Sequence, residues 1–261
     1  MLPHASSRGR VERVTQPKPN ARIQLEIVYE DARIAIANKS PGLVSEPGKS
    51  HRADSLLNAM IARYGGNMLQ LGERRDYGLL HRLDRQTSGC VACALDPEAY
   101  DAVRAQFEAR SVDKRYLALV KGRMRAGAQT IELNLEETRV PSNEGTRLVS
   151  VVSKSGKPAR TDVEVLATCT SHTLVACEPH SGRLHQIRVH LAHLGFPVDG
   201  DPIYATGARV LPPSKAEERT LALHAWKLGF NGPSGSRIDA IAPPSRKFND
   251  VLYRVGLRLN A

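Results

Sequence analysis

A chain of 261 residues, 41% hydrophobic and 25% charged, has the make-up of an ordinary globular protein with room for one sizeable core or two small ones. Lys and Arg outnumber Asp and Glu by 37 to 27, and the net charge of +10 favours a polyanionic partner, nucleic acid first. No stretch reaches the roughly 18 consecutive apolar residues of a membrane span, the start lacks the apolar core of a secretory signal, and 4 cysteines do not make a disulfide framework, so a cytoplasmic protein without membrane contact is expected; a monomer is expected as well.

In chain order, residues 1–22 carry Arg8, Arg10, Arg13, Lys18 and Arg22 against Glu12 alone, with Pro3, Pro17 and Pro19 and almost no apolar periodicity. This predicts a mobile basic arm, followed by one domain over 23–261. Ile23, Leu25, Ile27 and Tyr29 alternate with polar partners and turn at Glu30 and Asp31 into Arg33 to Asn38, the pattern of a hairpin. Leu56, Leu57, Met60, Ile61 and Tyr64 keep helical spacing and end at Gly65 and Gly66.

The stretch YGLLHRLDRQTSGCVACAL, 77–95, puts one acid, Asp84, between Arg82 and Arg85. Leu79 and Leu80 before it and Val91 to Leu95 after it predict strand, loop, strand, with Thr87, Ser88 and Gly89 as the turn. A loop held by two core strands is a common seat of function, although Asp84 paired with either arginine would also serve loop geometry alone.

Beyond it, Asp96 and Pro97 supply cap and first position of a helix with a Tyr100, Val103, Phe107 stripe. Tyr116 to Val120 is apolar on both faces and predicts a buried strand with cationic ends. Further strands are expected at Thr130 to Leu135, Leu148 to Val152, Thr161 to Leu166, Thr173 to Cys177 and from Leu221 to Phe230. In SGRLHQIRVHLAHLG, 181–195, Leu184, Ile187, Leu191 and Leu194 keep helical spacing while His185 and Arg188 share another face. A last amphipathic stretch, Phe248 to Leu257, follows Pro243 and Pro244. The spacing of His185, His190 and His193 does not bring three ligands to one face, and Cys90 and Cys93 sit in an apolar run without a second such pair, so no metal is expected.

Three ordered segments, HRLDRQTSG at 81–89, KRYLALVKG at 114–122 and SGRLHQIRVHLAHLGFPVDGD at 181–201, resemble pseudouridine synthases of the RluA type, as do IVYEDARIAIANKSPG at 27–42 and LHAWKLGF at 223–230. The resemblance implies an α+β fold, a mixed and largely antiparallel central sheet flanked by helices, and isomerisation of uridine to pseudouridine in ribosomal or transfer RNA without cofactor or metal. It places Asp84 at the catalytic aspartate; a carboxylate there can act as nucleophile, as base or as stabiliser of charge developing on the sugar. Tyr116 matches the active-site tyrosine that stacks on uracil, and Arg188 the basic residue that pairs with the aspartate and holds it ionised. Arg82 matches the residue that fills the RNA stack when the base is extruded. His81, Arg85, Lys114, Arg183, His185 and Leu223 lie in the same segments and are assigned to substrate or RNA contact, His81 also to loop shape and Leu223 to the uracil pocket.

Where relatives have Lys-Pro, this chain has Lys39, Ser40, Pro41, an early turn remote in sequence from the chemistry. Many relatives also carry a small RNA-binding module in front, and residues 1–22 are expected to be too short for one. Two rival functions are a non-catalytic RNA-binding or ribosome-assembly factor on the same scaffold, and a base hydrolase using Asp84.

Overall fold

The computed structural model describes residues 16–48, 50–143, 145–213 and 220–259. Its strands are β1 Ile27–Glu30, β2 Ile34–Lys39, β3 Ser88–Ala94, β4 Asp113–Lys121, β5 Ala128–Ser142, β6 Gly145–Val152, β7 Lys157–Thr168, β8 His172–Pro179, a short ribbon of β9 Tyr204–Ala205 and β10 Arg209–Val210, then β11 Leu223–Asn231 and β12 Arg237–Ile241. The helices are α1 Leu56–Tyr64, α2 Gly66–Leu71, α3 Pro97–Glu108, α4 Gln186–His193 and α5 Arg246–Arg254.

One large sheet runs β1-β2-β3-β11-β4-β8-β7-β5-β6, with β12 also on β11. All its pairings are antiparallel except β3 with β11, where His224 faces Ser88 and Ala225 faces Gly89. The expected mixed, largely antiparallel α+β architecture is therefore present. Strand β3 is buried at all seven positions, which its small apolar sequence SGCVACA permits at the centre of a sheet covered on both faces. Cys90 and Cys93 belong to that core, and burial pushes both thiols up to about 12.

Helices close local groups of the chain before they pack. Ser55 and Asn58 form a reciprocal capping box at α1, and Asp96 caps α3 through the Ala99 N–H at 2.9 Å. Arg33, forked onto Asp96 at 2.8 and 2.9 Å, ties β2 to that cap. One face of the β2–β3 half packs Met60 and Ile61 of α1, the other Tyr100 and Val103 of α3. Across β4, β8 and β11 the cover is Ile187 and Leu191 of α4 with Phe248 and Leu252 of α5. Val189 and Ala192 on another side of α4 pack with Leu135, Val149 and Ala159 of the β5–β7 region. Helix α4 thus wedges between two apolar clusters, and its buried side chains cannot rotate away.

Several boundaries differ from the sequence expectation. The turn in the aspartate loop falls at Arg85 and Gln86, and Ser88 and Gly89 already belong to β3. The segment before the loop is a 3-10 turn, Glu73–Gly78, ending in a single bridge from Leu79 to Cys93, rather than a strand. Leu184 lies outside α4 because His185 has a left-handed backbone, φ 53°, and starts the helix behind it. Residues 1–15 of the expected arm lie outside the described residues, whereas 16–20, followed by a turn at 21–22, is fixed on α1: the Asn20 N–H donates to Asn58 O at 2.9 Å and Asn58 Nδ2 donates to Lys18 O at 2.6 Å.

Candidate active site

Asp84, Tyr116 and Arg188, separated by up to 104 positions, line one cleft with a volume of about 1090 Å3. The aspartate loop enters it between Leu83, buried, and Thr87, buried, so the carboxylate is presented from a backbone anchored on both sides. Ser45 supports it by a reciprocal pair, Oγ donating to Leu83 O at 2.9 Å and accepting the Leu83 N–H at 3.0 Å.

Arg188 Nη1 donates to Asp84 Oδ2 at 3.2 Å; the arginine side chain is 4% exposed and the aspartate 28%. A buried guanidinium needs more than one partner. It finds the second in Asp201, 1% exposed, whose two oxygens accept from Nε and Nη2 at 2.8 Å each. Burial opposes the Arg188 charge, but the Asp201 hydrogen bonds and the Asp201 and Asp84 charges outweigh it and raise its pKa above the ordinary value. Asp201 Oδ1 also accepts the N–H groups of Ile203 and Tyr204, which fixes the carboxylate to its own turn. Asp201 was not singled out from the sequence, although it lies at the end of the matched segment 181–201.

His185 brings a third group to Asp84, with Nε2 3.7 Å from Oδ2. Burial first and the Arg188 charge second push its pKa down to about 4, so the ring is neutral at pH 7. The Tyr204 hydroxyl accepts the Ser150 N–H at 2.9 Å and lies 2.8 Å from His185 Nδ1. When this hydroxyl donates to Nδ1, the imidazole proton lies on Nε2, toward Asp84.

Tyr116 sits on β4 between Cys177 of β8 and Ala225 of β11. Burial and then the Asp84 charge raise its pKa, so the hydroxyl keeps its proton. Leu223, also on the cleft wall, is buried opposite Ala118.

Lys39, whose turn is remote in sequence from Asp84, reaches the aspartate loop in space: the buried ammonium donates to Ser40 O, Leu43 O and Arg85 O at 3.1, 2.7 and 3.1 Å. Burial pushes its pKa down to about 7 against the opposing pull of Asp84. Arg85 completes this brace by donating from Nε to Gly42 O at 3.1 Å while its carbonyl accepts the Gly42 N–H. His81 accepts the Ala92 N–H at 3.1 Å and stacks on Phe107 at 4.8 Å; burial and the Lys114 and Arg104 charges push it down to about 3. Its ring holds the loop to β3. Arg82, exposed, forms an ion pair with Glu46, and Arg183 donates to Pro158 O at 3.3 Å.

Comparison with known proteins gives the family. The family described as RNA pseudouridylate synthase matches residues 33–193, a span that contains Asp84, Tyr116 and Arg188. Ribosomal large subunit pseudouridine synthase D of Nitrosomonas europaea is 36% identical over 220 residues, which are 83% of this chain and 60% of that protein. An uncharacterized RNA pseudouridine synthase of Bacillus subtilis, YlyB, is 32% identical over 237 residues, 88% of this chain and 74% of the relative. The chain thus spans about three fifths of the length of the Nitrosomonas relative. The structure titled Human RNA Pseudouridylate Synthase Domain Containing 4 shares the fold, with a TM-score of 0.68 at 24% identity over 90% of this chain and 94% of that one. With the family pattern running from β2 through the aspartate loop to the arginine helix, this chain belongs to the RNA pseudouridylate synthase family.

Proposed function

We propose that the protein isomerises uridine to pseudouridine in RNA, with large-subunit ribosomal RNA as substrate. The observation that carries this is a partly exposed carboxylate, Asp84, fixed by a buried guanidinium and facing a protonated tyrosine in a cation-lined cleft. Ribosomal RNA is favoured because relatives at 32–36% identity are named for the large ribosomal subunit. On this reading 23–261 is the catalytic domain and the protein acts in the cytoplasm.

The reaction breaks the N1–C1′ bond, turns the detached base and joins C5 to C1′; C5 loses a proton and N1 gains one, so no oxidant or reductant is needed. Asp84 acts at the sugar. Arg188, locked by Asp201, keeps it oriented and balances its charge, which preorganises the site rather than leaving it to form on binding. The ring of Tyr116 stacks on the extruded uracil, its hydroxyl supplies or accepts a proton, and Leu223 is the apolar wall. Arg82 exchanges its exposed Glu46 partner for the vacated RNA stack; exposed ion pairs are worth at most about 1 kcal/mol, so the exchange is cheap. His81 and Arg85 set the loop, while Lys114 and Arg183 meet the RNA backbone.

The test is tritium release from unmodified large-subunit ribosomal RNA transcribed with uridine labelled at C5. Wild-type protein should release tritium and Asp84→Asn should release none while remaining folded. Full turnover in the variant overturns the proposal. Binding without release by the wild type would make the protein an RNA-binding factor, release of free base would make it a hydrolase, and release only from transfer RNA would move the substrate.

A further inference from the structure

Seven cations other than histidine line the cleft, and five of them are engaged: Arg82, Arg85, Arg104, Arg183 and Arg188 each have an ion-pair or carbonyl partner. Arg110 and Lys114 do not, since neither has an acid within ion-pair distance among the described residues. Glu108, two positions before Arg110, is taken by Arg104 at 3.3 Å. We infer that Arg110 and Lys114 form a phosphodiester-binding subsite where α3 and β4 bound the cleft, and that it holds the RNA backbone beside the uridine presented to Asp84. The inference rests on the RNA-modifying function proposed above and extends it to a contact outside the reacting nucleotide.

Three features point to an anion here. The first is backbone conformation. Arg110 follows α3 with φ at +60°, its N–H closing on Phe107 O at 3.2 Å and the Ser111 N–H on Gln106 O at 3.0 Å. Glycine fills this helix-ending position without strain, so an arginine held there is a feature to be explained by its side chain. The second is mutual repulsion. Lys114 is half-buried, and its pKa is lowered by burial and by the Arg110 charge. Two unpaired like charges this close are unfavourable in the free protein, and one shared phosphate oxygen pair relieves both. The third is position. Lys114 and Tyr116 are two apart on β4, so their side chains leave the same face about 7 Å apart along the strand. A base stacked on Tyr116 therefore has its flanking backbone within reach of the pair.

Arg110→Gly tests this cleanly, because it removes the cation and relaxes the backbone in one step. Its Tm should equal or exceed that of the wild type, which separates binding from folding. With the unmodified large-subunit ribosomal RNA transcript as probe, Arg110→Gly and Lys114→Met should each weaken binding roughly tenfold and flatten the plot of log affinity against log salt by about 0.7–0.9. The loss should fall on KM rather than kcat, and the double variant should lose less than the product of the two because they share one phosphate. Wild-type affinity and salt slope in both variants overturn the subsite, as does a loss of affinity at unchanged slope. Asp84-dependent tritium release surviving in these variants shows that the catalytic proposal stands or falls separately.

Discussion

Asp201 does for Arg188 what Arg188 does for Asp84. A guanidinium buried this deeply with only the 3.2 Å contact to Asp84 would carry an uncompensated charge and could swing between acceptors. The two 2.8 Å bonds from Asp201 remove that freedom. Asp201→Asn is therefore expected to cost about 3 kcal/mol of stability and to lower kcat at least about tenfold, because the misplaced arginine no longer orients the carboxylate. Urea unfolding gives the first quantity and tritium release, at a temperature where the variant is folded, gives the second. Unchanged kcat would mean that Asp84 needs no help from the Arg188–Asp201 pair. That Asp84, Tyr116 and Arg188 would share one cleft was legible from motif resemblance, residue by residue. Their supports were not. Lys39 reads locally as part of a polar turn, and only the return of the chain 46 positions later brings Arg85 O to its ammonium.

At the scale of elements, the parallel contact between β3 and β11 is the joint on which the aspartate loop turns. Gly89 stands at that contact with φ at +115°, and a Cβ there would lie 2.1 Å from Ala225 O, a backbone atom that has no room to retreat. Gly89→Ala should destabilise the protein by at least about 3 kcal/mol, read as a lower urea midpoint or loss of soluble protein. A midpoint within error of wild type would show that the two strands can part without loss. Local periodicity located α1, α3, the hairpin and most strands, since their signals lie within a few residues of each other. It misplaced the start of α4 because the spacing of Leu184 continues through a left-handed residue that the pattern does not register. Strand β12, Arg237–Ile241, was missed although Ile238 and Ala240 alternate inward as a one-sided strand requires; five residues between glycine- and proline-rich turns gave too short a signal.

For the molecule as a whole, burial of histidines links stability to pH. His81 is held at about 3 and His185 and His190 at about 4, against 6.5 for an ordinary histidine. Burial is the leading cause in each, and neither ring nitrogen of His190 has a hydrogen-bond partner among the described residues. Between these values and about 6.5 the unfolded chain binds more protons than the folded one, so stability is complete above about pH 6.5 and declines as pH falls toward 4. Each histidine contributes up to about 1.4 kcal/mol per pH unit in that window. The urea midpoint should thus be lower at pH 5 than at pH 7, and His190→Phe should reduce the difference. Equal midpoints at the two pH values would contradict neutral buried imidazoles.

What the sequence alone determined is the class of scaffold and the residues proposed for the chemistry: Asp84, Tyr116 and Arg188 stand in ordered motifs, and alternating apolar runs specify strands that must be buried. Charge and composition pointed to a polyanion without saying which cations would meet it. Tertiary structure decided which of the cleft's cations are already paired, which acid locks Arg188, and that β11 returns to lie between β3 and β4. The physical reason is range. Periodicity and capping act over a few residues, whereas the partners of a buried charge are chosen among groups a hundred positions away, and burial makes that choice binding because an unpaired charge inside the protein is too unfavourable to persist.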